Sequence, residues 1–222
     1  QGDFVGRAVF DPDSPLRARL WTRDPEVRVD EALLRERIKA ARRRRPFPTP
    51  ETTGYRLLHG EGDRIPGLVC DVYGEVGVLR PDGLAAERWL EPARQILEEL
   101  LGLERWAVRR SSIHARDGAP EAHWWGKESD REQAEGVVEF LEDGLRYQCD
   151  VIRGQKTGFF LDQRANRARM ARWSAGRRVL NLFGYTGGFS VAAAMHGAAM
   201  TTTVDLAAPA IEAARHHFEL NG

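Results

Sequence analysis

Apolar and polar positions along the chain follow short periods that change every few residues, which predicts a mixed α/β protein. Residues 2–22 alternate around a turn at Asp11–Pro15 and predict a hairpin. Asp30–Arg45 has the spacing of a helix, and prolines at 46, 48 and 50 end it. Further strands are predicted at Tyr55–His59, Leu68–Tyr73, Val76–Leu79 and Trp106–Ile113. Helices are predicted at Leu84–Leu101 and Ala208–Leu220. A polar loop is predicted at Ala115–Glu135, and a second hairpin at Gly136–Val151.

The most informative pattern lies between Val179 and Asp205. Val179–Phe183 is an apolar strand, and the next five residues, GYTGG, form a turn rich in glycine. Phe189–Met195 is small and apolar, as suits a helix that packs closely on a sheet, and His196-Gly197 ends it. Thr201–Val204 is β-branched and predicts a short buried strand that ends at Asp205. The order strand, turn, helix, strand, acid is typical of a nucleoside cofactor site.

The details of the turn favour one cofactor over another. A dinucleotide site requires the spacing G-x-G-x-x-G, which Gly184, Gly187 and Gly188 do not supply, and Tyr185 crowds a pyrophosphate. S-adenosylmethionine (SAM) carries no phosphate and tolerates the looser turn. Asn181, near the end of the first strand, could then meet the amino group of the methionine part. A βαβ unit that binds no ligand is the remaining alternative.

A second motif, GQKTGFFLDQRANR, lies just before the first strand. It combines glycines, cations and two adjacent aromatic residues. Asp162 is predicted to be the N-cap of a helix that runs to Trp173 and carries arginines at 164, 167, 169 and 172. The simpler interpretation is a loop followed by a capped helix with a solvated basic face.

Together, GQKTGFFLDQRANR and VLNLFGYTGGFS resemble the bacterial large-subunit ribosomal RNA methyltransferases that form 5-methylcytosine, which are class I SAM-dependent enzymes. Tyr55–Tyr73 is similar to the small central domain of that family, and Gly2–Arg23 to the last part of its N-terminal PUA domain, an RNA-binding module. The resemblance covers essentially the whole chain. It departs at Asn181, where the family more often has Asp, and at Gly184, where it often has Ser.

The resemblance implies a fold class, α+β or α/β, and four segments. Residues 1–25 would be the C-terminal part of a PUA-like domain, 26–50 a helix and proline-rich linker, 51–135 a small α/β middle domain, and 136–222 the first half, β-α-β-α, of a Rossmann-like SAM methyltransferase domain. The chain holds no Asp-Pro-Pro and no later cysteine segment, which the family uses in catalysis. We therefore expect a fragment that is inactive alone, with the catalytic residues beyond Gly222.

The implied function is SAM-dependent methylation of large-subunit ribosomal RNA at C5 of a cytosine. The motifs predict SAM as cofactor and the following cofactor-binding residues: Lys156, Phe160, Asp162, Arg164, Asn181, Phe183, Tyr185, Thr186, Gly187, Gly188 and Asp205. Three alternatives remain open. They are a non-catalytic RNA-binding piece, a methyltransferase of the same fold that acts on another base, and a nicotinamide oxidoreductase.

Composition adds only limits. The 33 cationic and 33 acidic residues balance, although residues 1–50 carry twelve Lys or Arg against eight Asp or Glu, and Arg42–Arg45 is a run of four that would suit RNA or a helix C-terminus equally. Cys70 and Cys149 lack metal spacing and are predicted to be core thiols. We expect ribosomal RNA as partner, no metal, no membrane, a cytoplasmic location, and leave a homodimer open.

Overall fold

The computed structural model describes residues 3–110, 121–125 and 136–222 and confirms most of the predicted elements. Strands are β1 Arg7–Phe10, β2 Ala18–Thr22, β3 Gly54–His59, β4 Leu68–Tyr73, β5 Val76–Pro81, β6 Arg105–Arg109, β7 Ala122–Trp125, β8 Val137–Glu142, β9 Leu145–Asp150, β10 Arg178–Leu182 and β11 Met200–Val204. Helices are α1 Glu31–Arg44, α2 Leu84–Glu87, α3 Leu90–Leu101, α4 Arg164–Trp173, α5 Gly188–Met195 and α6 Ala208–Asn221.

Three of the predicted elements need correction. The predicted loop over 115–135 contains strand β7, which pairs antiparallel with β6, and its residues 115–120 and 126–135 lie outside the described ranges. The predicted helix over 84–101 divides into α2 and α3 at residues 88–89, whereas Pro92 lies in the first turn of α3, where a proline is tolerated. The predicted strand Trp106–Ile113 ends at Arg109, and its residues after 110 are outside the described part.

A five-stranded mixed sheet, in the order β3-β4-β5-β6-β7, forms the centre of the structure. Only β5 and β6 run parallel, because α2 and α3 connect them. Helices α1 and α3 bury their apolar faces on one side of this sheet. Leu34 and Ile38 of α1 and Leu97 of α3 are all but inaccessible to solvent within that core.

The other side of the sheet packs on the β8–β9 hairpin. Four aromatic rings meet there: Tyr73 of β4, Phe140 and Tyr147 of the hairpin, and Phe159 of the loop that follows it. Their centroids are 5.1 to 5.8 Å apart in the contacts that Phe140 makes with the other three. Offset and edge-to-face aromatic pairs of this kind add to the free energy gained from burial. The loop after β9 is therefore anchored to the central sheet through Phe159.

Strands β10 and β11 form a separate parallel pair, joined by α5. Their register runs from Arg178 opposite Met200 to Leu182 opposite Val204. The prediction of a buried strand over 201–204 is wrong for the described part of the chain, because β10 and β11 alternate between exposed and half-buried positions. Leu180 is 62% exposed. The two-stranded sheet thus presents an apolar face to solvent.

The arginine run at the end of α1 has mainly intramolecular partners. Arg44 and Arg45 both form ion pairs with Asp63, whose side chain is 2% exposed. Arg45 also donates to the carbonyl of Arg56, and Arg42 to the carbonyl of Arg45 at the helix end. Of the two interpretations of this run, the structure supports the helix terminus and a buried carboxylate rather than an open RNA contact.

Arg167 departs from the solvated basic face that the sequence predicted for α4. Its guanidinium makes two parallel hydrogen bonds of 2.6 Å to Glu142 of β8, and both side chains are less than 5% exposed. The guanidinium also lies 4.7 Å from the centroid of the Phe159 ring. A buried, bidentate pair of this kind fixes α4 on the hairpin, because either charge alone would be costly to bury.

We predict that Arg167→Met lowers the free energy of unfolding by about 3–5 kcal/mol, since it leaves Glu142 buried without its cation. The double variant Arg167→Met/Glu142→Leu should recover most of that loss. Arg146→Met is the matched control, because the Arg146–Glu139 pair is exposed and worth less than about 1 kcal/mol. Urea unfolding measures all three. A double variant that is no more stable than Arg167→Met would contradict this account.

Candidate cofactor site

A cavity of about 490 Å³ lies at the carboxyl ends of β10 and β11. In open α/β sheets this is the edge at which ligands bind. Its lining combines five aromatic residues with six polar or charged ones, two glycines and a leucine. The lining residues are Gln155, Phe159, Phe160, Gln163, Arg167, Asn181, Leu182, Phe183, Gly184, Tyr185, Thr186, Gly188, Phe189 and Asp205.

A larger cleft of about 870 Å³ lies on the other side of Tyr185, between the β8–β9 hairpin and α6. It is mainly apolar, and it contains neither Asp205 nor Asn181. A third cleft has a volume of about 380 Å³. Its lining includes Asp63 and the two arginines that form ion pairs with it, Arg44 and Arg45. The cavity at the strand ends is the candidate site, because it alone among these three combines the glycine turn with Asp205.

The turn after β10 is held in an unusual backbone conformation. Phe183 and Tyr185 have φ angles of +55° and +47°, and Gly187 has +73°. Bulky residues rarely adopt the left-handed region, at a cost of about 1–3 kcal/mol each, and such residues cluster at functional sites. Phe183 is 86% exposed, so packing of its own side chain does not explain its conformation. Tyr185, by contrast, is held by contacts with three neighbouring residues.

Asp205 anchors this turn from the end of β11. One carboxylate oxygen accepts a hydrogen bond of 2.8 Å from the backbone N–H of Tyr185, and the other one of 2.9 Å from the N–H of Ala207. These bonds, that from Ala207 first, hold the pKa of Asp205 below its ordinary value. The carboxylate therefore stays charged at the mouth of the cavity. Each oxygen has a further lone pair that could accept from a ligand hydroxyl.

Tyr185 joins the turn to the loop after β9. Its hydroxyl accepts a hydrogen bond of 3.0 Å from the backbone N–H of Gln155. Its ring meets Phe160 edge-to-face, with centroids 5.4 Å apart. Burial raises the pKa of the phenol, so it is neutral and can still donate. Tyr185 and Phe160 together form one wall of the cavity.

Lys156 and Asp162 stabilise the loop behind that wall. The Lys156 ammonium lies 3.1 and 3.2 Å from the two carboxylate oxygens of Asp162, and 4.3 Å from the centroid of the Phe160 ring. Burial disfavours the carboxylate, but the hydrogen bond and charge of Lys156, together with hydrogen bonds from Gln163 and the backbone, outweigh it and lower the pKa of Asp162. The prediction of Asp162 as N-cap is wrong: Gln163 is the N-cap of α4, and Asp162 lies in a short 3₁₀ turn before it.

Arg164 turns away from the cavity. Its guanidinium pairs with Asp143 in the β8–β9 turn and lies 4.4 Å from the centroid of the Phe47 ring. Four of the predicted cofactor residues do not line the cavity: Lys156, Asp162, Arg164 and Gly187. They lie in the segments that form its walls.

The glycines of the turn are explained by the protein's own packing. A Cβ on Gly184 would lie 2.5 Å from Thr203 Cγ2, and one on Gly187 would lie 2.7 Å from the Cβ of Ala214 in α6. A Cβ on Gly188 would approach the Phe159 ring to 3.1 Å. The turn is thus pressed between β11, α6 and the loop after β9, which fixes the position of the cavity floor.

Two polar side chains on the cavity floor differ in their bonding. The Asn181 amide nitrogen donates to Ser190 Oγ at 3.0 Å, and Ser190 in turn bonds Thr203 Oγ1 at 2.6 Å. Thr186 Oγ1, by contrast, is buried and has no hydrogen-bond partner among the described residues. A buried hydroxyl without a partner costs free energy. Thr186 therefore fits a ligand that brings a hydrogen-bonding group into this cavity.

His217 of α6 supports the turn from below, a role that the sequence did not reveal. Its Nδ1 lies 2.8 Å from the carbonyl oxygen of Thr186, and its Nε2 lies 2.9 Å from both the backbone nitrogen and the carbonyl oxygen of Gln148 in β9. Burial lowers the pKa of His217 and favours the neutral ring. In the neutral ring, Nδ1 donates to Thr186 and Nε2 accepts from the N–H of Gln148.

A second unforeseen support comes from the central sheet. Asp71 of β4 is fully buried. Its carboxylate accepts hydrogen bonds from Nε and Nη2 of Arg56, and one of 2.5 Å from the Thr157 hydroxyl. Thr157 Oγ1 lies 2.9 Å from the hydroxyl of Tyr73, which accepts from the backbone N–H of Phe159 at 3.1 Å. This network holds the loop after β9 against the sheet, so that Phe159 and Phe160 face the cavity.

The structure brings together seven of the eleven predicted residues: Phe160, Asn181, Phe183, Tyr185, Thr186, Gly188 and Asp205. The lining residues that sequence reasoning missed are Gln155, Phe159, Gln163, Arg167, Leu182, Gly184 and Phe189. All of them lie inside the two motifs, so the motifs carried the signal although their individual residues were not chosen. Their roles toward a cofactor stay predictions.

Comparison with known proteins agrees with this geometry. The family description S-adenosylmethionine-dependent methyltransferase matches residues 56–222. The chain belongs to that family, which makes SAM the family cofactor, as the turn predicted.

Individual relatives match over nearly the whole chain. A ribosomal RNA large subunit methyltransferase of Deinococcus radiodurans is 40% identical over 98% of this chain and 55% of its own length. A ribosomal RNA large subunit methyltransferase I of Shewanella denitrificans is 37% identical over 100% and 56%. A crystal structure described as a methyltransferase complexed with SAH is 26% identical, with a TM-score of 0.84 over 98% of this chain and 55% of that one. The chain thus spans about half the length of the relatives it matches.

The described residues contain no group of three or more His, Cys, Asp or Glu side chains arranged to hold a metal ion. Within residues 3–110, 121–125 and 136–222, no helix is both long and apolar enough to cross a membrane.

We predict that Asp205→Ala weakens SAM binding about 10- to 100-fold, because the variant loses a charged acceptor for the ribose hydroxyls and the bond that fixes Tyr185. Isothermal titration of SAM at equal folded fraction measures the effect. Asp30→Ala is the control, since it removes a carboxylate that caps α1 far from the cavity. Equal dissociation constants for wild type and Asp205→Ala would remove Asp205 from the site.

A second prediction concerns pH. The pKa of His217 is lower in the folded protein than the ordinary value of about 6.5, so its contribution to stability is present above about pH 6.5 and is lost as the pH falls below it. His217→Gln should lower the unfolding free energy by about 1–3 kcal/mol near pH 8 and by clearly less near pH 5. The exposed His216→Gln is the control. A His217→Gln cost that is the same at both pH values would contradict a buried neutral ring.

Proposed function

We propose that this chain binds SAM in the cavity at the ends of β10 and β11, and that the full-length protein transfers the methyl group to large-subunit ribosomal RNA. The observation that carries the proposal is that Asp205 and Thr186 line the same cavity, which is of suitable size. The Thr186 hydroxyl has no hydrogen-bond partner among the described residues. When bound, SAM supplies an electrophilic methyl group. The residues of this chain bind and orient it.

The roles of those residues follow from the contacts described above. Asp205 accepts from the ribose hydroxyls while its backbone bonds keep it charged and fixed. Phe160 and Tyr185 offer apolar faces for the adenine or for an unstacked base. Asn181, at the end of β10, presents an amide to the methionine part, and Thr186 Oγ1 gains the partner that it lacks. Lys156 and Asp162 act indirectly, through the loop that carries Phe160.

The choice of RNA as substrate is supported by the names of the relatives, which are ribosomal RNA large subunit methyltransferases. The choice of cytosine C5 rests on the resemblance of the two motifs alone. The alternatives are another target base, which the same cavity would serve, and RNA binding without catalysis. The turn disfavours a nicotinamide oxidoreductase, because its glycines lack the dinucleotide spacing.

Neither cysteine of this chain is suited to attack a pyrimidine ring. Cys70 and Cys149 are buried, and burial, together with the neighbouring Asp71 and Asp150 respectively, raises the pKa of each thiol well above its ordinary value. A thiolate is the reactive form. The nucleophile that a C5 methylation requires is therefore assigned to neither of them.

The four-segment division is part of the same proposal: PUA-like residues 1–25, the linker 26–50, the middle domain 51–135 and the methyltransferase half 136–222. The β1–β2 hairpin and the central sheet are compatible with it. A cytoplasmic location, the absence of metal and membrane, and a homodimer stay predictions. Sedimentation velocity would test the homodimer.

The direct test is transfer of a labelled methyl group from SAM to large-subunit ribosomal RNA, followed by nucleoside analysis. The proposal predicts 5-methylcytidine. Label in another nucleoside would favour the alternative base. RNA that binds but stays unlabelled, with SAM binding also absent, would favour the non-catalytic alternative.

We predict that, in the full-length protein, Cys70→Ser and Cys149→Ser keep the rate of methyl transfer within a few-fold of wild type, because both thiols are buried in the cores on the two sides of the central sheet. The rate should be compared at equal folded fraction, since a buried hydroxyl can lower stability. Complete loss of activity in either folded variant would overturn the assignment.

A further inference from the structure

One face of α4 carries charge that no carboxylate among the described residues neutralises. Residues 163–204 include six arginines and contain neither Asp nor Glu. Two of the six are paired through other segments: Arg164 with Asp143 and Arg167 with Glu142. Both arginines lie in the first half of α4, and Arg167 lines the cavity.

The other four arginines form a different group. Arg169, Arg172, Arg177 and Arg178 are exposed, and the described residues place no carboxylate within ion-pair distance of any of them. Arg169 and Arg172 are three residues apart on α4 and so share a face of the helix. Arg177 and Arg178 lie after a three-residue connection that follows the helix, and Arg178 is the first residue of β10. This contrasts with Arg44 and Arg45, which are committed to Asp63.

An exposed tryptophan lies within this group. Trp173 is 61% exposed, whereas the other five tryptophans are buried or half-buried. It lies four residues after Arg169, on the same face of α4, and the Arg169 guanidinium is 5.2 Å from the centroid of its ring. Flat aromatic rings beside arginines are the surface on which unstacked bases of single-stranded RNA rest.

We propose that Arg169, Arg172, Trp173, Arg177 and Arg178, here called the α4 surface, bind a single-stranded segment of the RNA substrate. The proposal rests on the proposed function and extends it by naming where the RNA runs. Gln163, the N-cap of α4, and Arg167 in the helix line the cavity, and Trp173 lies about 9 Å along the helix from Arg167. RNA held there would flank the nucleotide that enters the cofactor site. The arginines supply phosphate contacts, and Trp173 stacks on a base.

The test is the binding of a labelled single-stranded RNA oligonucleotide of mixed sequence, and of the same sequence as a duplex, at several salt concentrations. Trp173→Ala should weaken single-strand binding about tenfold, leave the salt dependence unchanged, and change duplex binding by less than about twofold. Arg172→Gln/Arg178→Gln should weaken binding to both forms. For the single strand, the slope of log K against log salt should fall by about 1.4, the value for two lost phosphate contacts.

The control is Arg35→Gln/Arg215→Gln, which removes the same charge from exposed arginines that pair with Glu99 and Glu212. It should keep wild-type affinity and slope. SAM affinity should be unchanged in all the variants, because none of these residues lines the cavity. If wild type binds RNA and both α4 variants bind it with wild-type affinity and slope, the α4 surface is refuted while the proposed function stands. If the wild-type protein binds no RNA, both the α4 surface and the proposed function are refuted.

Discussion

The position of Tyr185 determines the candidate site. Its backbone is left-handed, its N–H is fixed by Asp205, its hydroxyl by Gln155, and its ring by Phe160. These contacts join the end of β11, the turn after β10 and the loop after β9 around one cavity. Without these contacts, Tyr185 would relax from the left-handed conformation, and the three segments would no longer be held together at one residue.

The supports of Tyr185 extend through the whole described structure. The Asp71–Thr157–Tyr73 network attaches the loop after β9 to the central sheet, and His217 attaches the turn to α6 and β9. The Arg167–Glu142 pair attaches α4 to the hairpin. The central sheet and the β8–β9 hairpin therefore hold the loops that line the cavity in place. A binding site requires such support, because its groups must be kept close to their productive geometry.

Local patterns in the sequence predicted the elements and the turn, because glycine spacing, strand length and a terminal acid act over a few residues. They did not predict contacts between distant positions. Thr157 meets Asp71 across 86 residues, and His217 meets Thr186 across 31. Asp162 was misassigned for a related reason: an acid before a helix is typical of an N-cap, but Lys156 competes for it from within the same loop. Exposure of β10 and β11 likewise depends on which strands lie beside them, which periodicity does not encode.

The central claim is that the cavity beside Tyr185 is the SAM site, and a crystal structure of the protein with SAH tests it most directly. The account predicts that the ribose hydroxyls lie within hydrogen-bond distance of Asp205, with the ligand enclosed by Phe160 and Tyr185 and a polar group near Thr186 Oγ1. SAH bound in the larger cleft between the hairpin and α6, with the cavity beside Tyr185 empty, would contradict it.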